Sequence, residues 1–371
     1  MPNDLSLIPN ANYTISTAMN ADTSPRSPCQ FYDVNGKPFR PTLKPHPNFD
    51  VHADVDVLCK SMRCWGTDED AIIKILGKRT NEQRMQIVSA YKAKYGRELA
   101  KDLEGDLSGH FKDCCILLTE CPYYLMAKSL YYAFKGVGTN ENTIIEILVG
   151  CYNEELEKLK QAYIYVLRDK GIKDPKRNLE SDLRCETSGY FGKMVLQMLK
   201  SKERDPSEEK IRRGLEAIVN EDEVSKVVKQ ITDAIEKKKN TPALLFNAFS
   251  NKNPWEIAAM ENEYKRASGK SLVKAIPEVV EGEFGTLLIA MVEHAVNRPK
   301  FYSEALYHSM VGAGTRDYLL MRVLILRSEI DLVDIKETFD KDHKSLADWI
   351  KGDTSGDYEK LLLTLLNESG E

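Results

Sequence analysis

The sequence lacks the excess of positive charge that nucleic-acid-binding proteins usually carry. Its 52 lysine and arginine residues are outnumbered by 57 aspartate and glutamate residues, which leaves a formal net charge of −5. This balance argues against a nucleic acid partner, and also against attraction to anionic lipid by bulk charge alone. Binding to a membrane surface would therefore need a bridging ion or a local basic patch.

Long apolar runs are also missing. The run from Leu361 to Leu366 is far shorter than the ~18 apolar residues that a membrane-spanning helix needs. The residues from Met1 to Asn20 have neither the basic start nor the apolar centre of a secretory signal. We therefore expect a cytoplasmic protein without a signal peptide.

The 8 cysteines form no Cys-x-x-Cys pair, and no histidine accompanies them at the spacing of a zinc site. Free thiols in a reducing compartment are therefore expected. The sequence holds no Gly-x-Ser-x-Gly, His-Glu-x-x-His or P-loop motif, so we expect no enzymatic activity. An EF-hand is excluded because its nearest match, Asp340 to Lys344, lacks the glycine and the third acid.

The chain divides near position 50. Residues 1–50 are rich in proline, which blocks helices, and predict an extended or disordered arm. The alternatives are an arm tied to the core near its end, an arm that binds a partner, and a solvated tail. From Val51 onward the apolar spacing is helical, and no convincing alternating strand is found. For example, Thr80 and Gln83 form a capping box that begins a helix, and Gly96 ends it.

A short glycine-rich loop recurs along the helical part of the chain. It reads Gly136-Val137-Gly138-Thr139 and Gly312-Ala313-Gly314-Thr315, with a variant Cys64-Trp65-Gly66-Thr67. Gly66 of the variant loop and Gly138, which hold the same place before the threonine, are 72 residues apart. A fainter unit has Asn240-Thr241-Pro242 at this place. Four such units with a period of ~70 residues indicate a repeat architecture.

The best-formed loop predicts a site for a hard cation. Gly312 and Gly314 allow the backbone to turn sharply, so that several carbonyl oxygens can point to one place. Asp353 follows Gly314 by 39 positions, within Gly-Asp-Thr-Ser-Gly. If the intervening helices return this carboxylate to the loop, it completes a cage of oxygen atoms, which suits calcium.

These loops, the downstream acid and the spacing together make the sequence from Val51 to Glu371 resemble the annexins. The resemblance implies an all-α fold of four repeats with about five helices each, wound as a right-handed superhelix into a slightly curved disc, with calcium loops on the convex face. The expected divisions are an arm at 1–50, repeat I at 51–122, repeat II at 123–200 with an insertion near 168–178, a linker helix at 201–223, repeat III at 224–298 and repeat IV at 299–371.

The resemblance also implies which residues bind Ca²⁺, the expected cofactor. In each site, three backbone carbonyls and one downstream carboxylate would be the ligands. Cys64 stands where the family has glycine, and Glu186 lies about eight residues further downstream than the family spacing. The expected ligands are Met62, Cys64, Gly66 and Asp106 in repeat I, Phe134, Gly136, Gly138 and Glu186 in repeat II, and Met310, Gly312, Gly314 and Asp353 in repeat IV.

Repeat III is expected to hold no ordinary calcium site, because Val279 aligns with the acid and a lysine run replaces the loop. Two interpretations of Lys237 to Lys239 stay open: a solvated helix end, or a direct contact with lipid phosphate. Between repeats II and III, residues 205–223 form an amphipathic stripe that predicts a linker helix, packed on the disc or used for a partner or a dimer.

The resulting functional expectation is calcium-dependent binding to acidic phospholipid membranes, such as phosphatidylserine-like headgroups. Each loop leaves the calcium shell incomplete, and a lipid phosphate would fill it. Such a protein would sit on the cytosolic face of the plasma membrane and organise or bridge membranes. Alternatives are a calcium-independent helical scaffold for protein partners and a membrane-associated calcium channel. Expected membrane contacts at the loop tips are Trp65, Val137 and Ala313.

Overall fold

The computed structural model describes residues 26–62, 66–136, 138–200, 205–238 and 241–367. Within these ranges the protein is all-α, and the nearest approach to a sheet is an isolated bridge between Tyr32 and Pro38. The described helices are all too short or too polar to cross a bilayer. The cysteines in the described ranges are free thiols. The predicted site residues Cys64, Trp65 and Val137 lie outside the described residues.

Apart from two linker helices, the α-helices of the described ranges fall into four groups of five, which we call repeats I to IV. Repeat I contains α1 (Val51–Ser61), α2 (Glu69–Leu76), α3 (Asn81–Tyr95), α4 (Leu99–Asp106) and α5 (Gly109–Leu118). Repeat II contains α6 (Pro122–Ala133), α7 (Glu141–Val149), α8 (Asn153–Asp169), α9 (Leu179–Glu186) and α10 (Gly189–Met198).

Two short helices, α11 (Glu208–Arg212) and α12 (Leu215–Ile218), connect the first two repeats to the last two. Repeat III contains α13 (Glu221–Lys237), α14 (Thr241–Phe249), α15 (Pro254–Ser268), α16 (Leu272–Ala275) and α17 (Gly282–Val296). Repeat IV contains α18 (Arg298–Met310), α19 (Asp317–Arg327), α20 (Leu332–His343), α21 (Leu346–Asp353) and α22 (Gly356–Leu366).

Local sequence signals set the ends of several helices. Helix α3 begins with a capping box, in which Thr80 and Gln83 each bond the backbone of the other, and ends at Gly96 in the left-handed conformation (φ 68°). Helix α15, which is the third helix of repeat III as α3 is of repeat I, begins with a capping box between Asn253 and Glu256 and ends at Gly269 (φ 70°). The capping box predicted at Thr80 is therefore confirmed.

The extra residues of repeat II lie before α9. Helix α8 has 17 residues where α3 has 15. The loop that follows α8 covers positions 170–178, whereas only positions 96–98 separate α3 from α4. These two differences together account for the longer spacing between Gly138 and Glu186. The insertion therefore lengthens α8 and the loop that follows it, and leaves the length of α9, which carries Glu186, unaltered.

The linker differs from the single helix that the sequence predicts for 201–223. It breaks at Gly214, which has φ 78°, into α11 and α12, and α13 already begins at Glu221. A β-carbon at Gly214 would lie 3.1 Å from the carbonyl oxygen of Asn35 in the arm. Because the arm packs so closely here, the linker turns at this glycine rather than continuing as one helix.

Two apolar cores hold the repeats in pairs. One cluster of buried residues extends over repeats II and III, with Tyr163, Phe249 and Leu288 among its members. The other joins repeats I and IV and includes Tyr91 and Phe339. Repeats I and IV, which are far apart in sequence, therefore share a core. The sequence pattern alone does not predict this pairing.

In the described part of the arm, residues 26–50, the chain is tied to the core, so of the alternatives that the sequence left open a disordered or solvated arm does not hold there. The buried side chain of Gln30 donates to the carbonyl of Gly150 at 2.9 Å and to Glu155 at 2.5 Å, both in repeat II. Further along, the Leu43 amide donates to the carbonyl of Ser328 at 2.9 Å. The hydroxyl of Thr42 donates to the backbone carbonyl of Leu365 at 2.7 Å. The arm thus ties repeat II to repeat IV.

Candidate calcium sites at the interhelical loops

In repeats I, II and IV the fourth helix carries the downstream acid at a fixed position. Helices α4, α9 and α21 each begin at a leucine and end seven residues later at an acid, with a glycine of positive φ three residues beyond it. The acids are Asp106, Glu186 and Asp353, and the glycines are Gly109, Gly189 and Gly356. Asp106 and Glu186 are exposed and Asp353 is half-buried.

The loop after the first helix of each repeat closes in the same way in repeats I, II and IV. A backbone amide beyond the loop donates to a carbonyl seven residues earlier, at the end of the first helix. These bonds run from Asp68 to Ser61 at 3.0 Å, from Asn140 to Ala133 at 2.9 Å and from Arg316 to Ser309 at 2.7 Å. The shared closure ties the start of the second helix to the end of the first across each loop.

Glycine provides the backbone conformation inside these loops. Gly136 and Gly138 have φ angles of 122° and 87°, and Gly312 and Gly314 have 106° and 83°. Gly66 has φ 89°. A β-carbon built on any of these five glycines would meet nothing within 4 Å. Backbone conformation rather than lack of space therefore requires glycine, and the loops stand open at the surface.

The threonine after the second glycine joins the loop to the acid. The hydroxyl of Thr139 donates to a carboxylate oxygen of Glu186 at 3.2 Å. In repeat IV, the hydroxyl of Thr315 donates to Oδ2 of Asp353 at 3.1 Å. A threonine at this place could also cap the next helix, but in repeat II Asn140 does so, where its side chain accepts from the Thr143 amide. The recurrence of threonine after the second glycine is the feature of the sequence from which this contact could have been predicted.

The donor set in repeats II and IV fits a hard divalent cation. In each of these repeats the threonine contact holds a single carboxylate beside the loop. Carboxylate and peptide carbonyl oxygens are the ligands that calcium takes, about six to eight in number. Nowhere in the described ranges are three or more His, Cys, Asp or Glu side chains grouped to hold a metal ion. Any ion bound at these loops would therefore depend on backbone oxygens.

The remaining predicted site residues lie at the ends of the first helices, at a loop tip and in a surface cleft. The side chains of Phe134 and Met310 are buried at the ends of their helices, so only their carbonyls could serve as ligands, and Met62 is half-buried at the matching place. Ala313 is exposed at the loop tip of repeat IV. In repeat I, Asp106 lines one surface cleft together with Asp353 of repeat IV.

Comparison with known protein families gives a consistent result. The family model described as Annexin matches residues 53–118, 126–198 and 301–365. Annexin A13 of Schistosoma japonicum is 39% identical over 347 residues, which cover 92% of this chain and 98% of the relative. Annexin B22 of Schistosoma mansoni is 37% identical over 350 residues, covering 92% and 96%.

Solved structures share the fold. A crystal structure of calcium-bound annexin (Sm)1 has a TM-score of 0.87 and 35% sequence identity, and the match covers 95% of this chain and 99% of that one. Annexin III has a TM-score of 0.80 with 34% identity over 90% of this chain and 98% of that one. The four-repeat, all-α fold expected from the sequence is therefore confirmed. The chain belongs to the annexin family, whose members bind phospholipids in a calcium-dependent manner.

Proposed function

We propose that this protein docks on acidic phospholipid membranes through calcium ions held in the loops of repeats I, II and IV, on the convex face of the disc. It would act at the cytosolic face of the plasma membrane and organise or bridge membranes, without catalysing a reaction. The observation that carries this proposal is the contact of the loop threonine with the downstream acid in repeats II and IV, Thr139 with Glu186 and Thr315 with Asp353.

Ligand number explains why the lipid would be needed. Three carbonyls and one bidentate carboxylate supply about five oxygens, whereas calcium takes about six to eight. One carboxylate also leaves about one positive charge of the ion uncompensated. A phosphate oxygen of a lipid headgroup would complete the shell and cancel this charge, whereas water would only complete the shell. Affinity for calcium should therefore be weak in free solution and much higher at an anionic bilayer.

Several sites on one face would act together. Once the first loop has bound a headgroup, the others meet lipid at a high effective concentration, so the overall affinity exceeds that of any single loop. The calcium dependence of membrane binding should accordingly be steep. Loss of one acid would move the midpoint of the calcium titration, and loss of all three would remove the response.

Sedimentation with vesicles of phosphatidylserine and phosphatidylcholine tests the proposal. Wild type should pellet with calcium, and a variant with Asp106→Asn, Glu186→Gln and Asp353→Asn should not. A control that removes three exposed acids elsewhere, Glu157→Gln, Glu209→Gln and Glu216→Gln, should behave like wild type. The proposal fails if the triple loop variant pellets with calcium as well as wild type does.

A further inference from the structure

A cavity of about 350 Å³ lies where the arm meets repeats II, III and IV. Its volume is within the range of sites that bind small organic molecules. Buried residues of the three repeats form its inner wall: Tyr152, Trp255, His294, Ala295 and Arg298. More exposed residues form its mouth, among them Lys37, Pro38, Arg40, Val296 and Glu337. The cavity is therefore enclosed at one end and open to solvent at the other.

Three nitrogen atoms of this wall have no hydrogen-bond partner in the part of the chain that the structure describes. They are Nε1 of Trp255, Nε2 of His294 and Nε of Arg298, which lies 3.4 Å from Oδ2 of Asp331 without a hydrogen bond to it. Burial lowers the pKa of His294, so its imidazole is uncharged at neutral pH. Trp255 is only 1% exposed, and its indole N–H can only donate. A buried donor of this kind requires an acceptor, which a ligand can supply.

The buried charges beside the inner wall are balanced. Arg298 and Arg327 both form ion pairs with Asp331, at 3.4 and 2.6 Å. Glu155 is a second buried acid, close enough to act on the charge of Arg327. Further out, one half-buried base and one half-buried acid cancel: Arg26 and Asp205. The inner end of a ligand should therefore be an uncharged acceptor, such as a carbonyl oxygen, rather than an anion.

The mouth of the cavity has one surplus negative charge. Its acids are Asp33, Asp334 and Glu337, and its bases are Lys37 and Arg40. Arg40 binds Asp334 at 2.8 Å and Glu337 at 2.5 Å, so two carboxylates share one cation. Next to the mouth, Glu208 and Arg212 pair with each other and add no net charge. An ammonium group at the outer end of a ligand would therefore be attracted to the mouth.

Apolar side chains line the space between these two ends. Phe39 and Val296 belong to this part of the lining, together with Pro254 and Pro299. Val296 is 44% exposed, and the ring of Phe39 lies 4.3 Å from the guanidinium of Arg298. Contact with these side chains would remove apolar surface from water. The body of the ligand should accordingly be apolar or aromatic.

We propose that this cavity binds a small organic amine whose apolar or aromatic body carries a carbonyl oxygen. The carbonyl accepts from the indole of Trp255 at the inner wall, and the body packs against Phe39 and Val296. The ammonium group lies at the mouth, beside Asp334 and Glu337. This binding requires neither calcium nor lipid, so it stands or falls separately from the proposed membrane function.

Titration with N-benzoylethylenediamine, followed by NMR of isotope-labelled tryptophan side chains, tests the inference. The indole N–H signal of Trp255 is identified by its absence in Trp255→Phe. It should shift downfield as the hydrogen bond forms, with a dissociation constant of about 1 mM for a ligand of about a dozen non-hydrogen atoms. The signal of Trp349, whose indole already donates to the carbonyl of His343 at 2.8 Å, should not move.

Two analogues of the same shape separate the ends of the ligand. N-propylbenzamide has a methyl group in place of the ammonium group, and phenylbutylamine has methylene groups in place of the amide. Each should bind about fivefold more weakly than N-benzoylethylenediamine, because each loses one polar contact. Val296→Phe fills the mouth and should abolish the shift. The matched control Val57→Phe, at a valine of α1 that is 42% exposed, should leave it unchanged.

The charge of the mouth is tested by a second pair of variants. Glu337→Gln should weaken the binding of N-benzoylethylenediamine about two- to fivefold, which is the contribution of an exposed ion pair, and should not change that of N-propylbenzamide. Glu157→Gln alters an equally exposed glutamate, paired with Lys160, and should change neither.

Three results would overturn the inference. The first is a Trp255 signal that does not move at about 10 mM compound, tenfold above the expected dissociation constant, as in a cavity that holds only solvent. The second is equal affinity for the three compounds. The third is an equal loss of binding in Val296→Phe and Val57→Phe.

Discussion

The substitution Asp353→Asn separates the charge of the repeat IV site from its structure. Asparagine has nearly the same shape and can still accept the hydrogen bond that Thr315 donates at 3.1 Å. Asp353 is only half-buried, so we expect the free energy of unfolding without calcium to change by no more than about 0.5 kcal/mol. The variant removes the single negative charge among the predicted ligands of this loop.

The expected effect on calcium affinity follows from this loss of charge. Removing one partner of a hydrogen-bonded charge pair costs about 2–5 kcal/mol, and the low end applies because a neutral oxygen ligand remains. A cost of about 2–3 kcal/mol raises the dissociation constant of the repeat IV site roughly 30- to 150-fold. Membrane binding should weaken less, because the loops of repeats I and II still attach the protein.

Two assays read these effects. Calorimetric titration with calcium in the presence of a soluble short-chain phosphatidylserine measures the site, and vesicle sedimentation measures the midpoint for membrane binding. The matched control is Asp348→Asn, the same change at an exposed aspartate at the start of α21. Equal calcium affinities for Asp353→Asn and wild type, or equal losses in Asp353→Asn and Asp348→Asn, would refute the reasoning.

Three further predictions concern the loop, a buried histidine and the arm. Gly312→Ala should lower the free energy of unfolding by about 1–3 kcal/mol because of its φ of 106°, whereas Gly352→Ala within α21 should not be destabilising; equal urea midpoints would contradict this. Burial lowers the pKa of His294, so its contribution to stability is present above the unfolded value near 6.5 and is lost as pH falls. When the pH falls from ~7.5 to ~5.5, the free energy of unfolding measured by urea titration should fall by about 1.4 kcal/mol more in wild type than in His294→Gln. Parallel pH profiles of the two proteins would disprove this prediction. Gln30→Leu should cost about 2–4 kcal/mol, since it removes a hydrogen bond from the buried Glu155, and a urea midpoint within error of wild type would count against it.

Local signals predicted some helix ends and misplaced others. The box at Thr80 and the glycine at position 96 act over a single turn, and the structure has both. The sequence Thr67-Asp68-Glu69-Asp70 also has the form of a capping box, but Asp68 and not Thr67 caps α2, by accepting from the Ala71 amide. Ser328-Glu329-Ile330-Asp331 has the same form, but the serine hydroxyl donates back to the carbonyl of Ile325 and the start of α20 is uncapped. Several polar residues near a helix start compete for the same bonds, and tertiary packing selects among them.

The sequence predicted the elements of the site better than their surroundings. Paired glycines and a downstream acid are visible because they recur, and the loop threonine that connects them recurs as well. The anchoring of the arm has no such signal. It depends on single contacts between distant positions, such as the guanidinium of Arg298 donating to the carbonyl of Gln30 at 2.6 Å. One sequence without repetition at these positions cannot reveal which partners meet.

The division of the apolar interior into two paired cores has a mechanical consequence. Rotation of one pair of repeats against the other would leave each core intact, and would strain chiefly the polar contacts at the seam, such as the ion pair between Arg322 and Glu146. The arm crosses that seam, because Gln30 is bonded to one half and Thr42 to the other. How far the two pairs of repeats can rotate is therefore limited both by these seam contacts and by the arm residues from Gln30 to Thr42, which lie outside all four repeats.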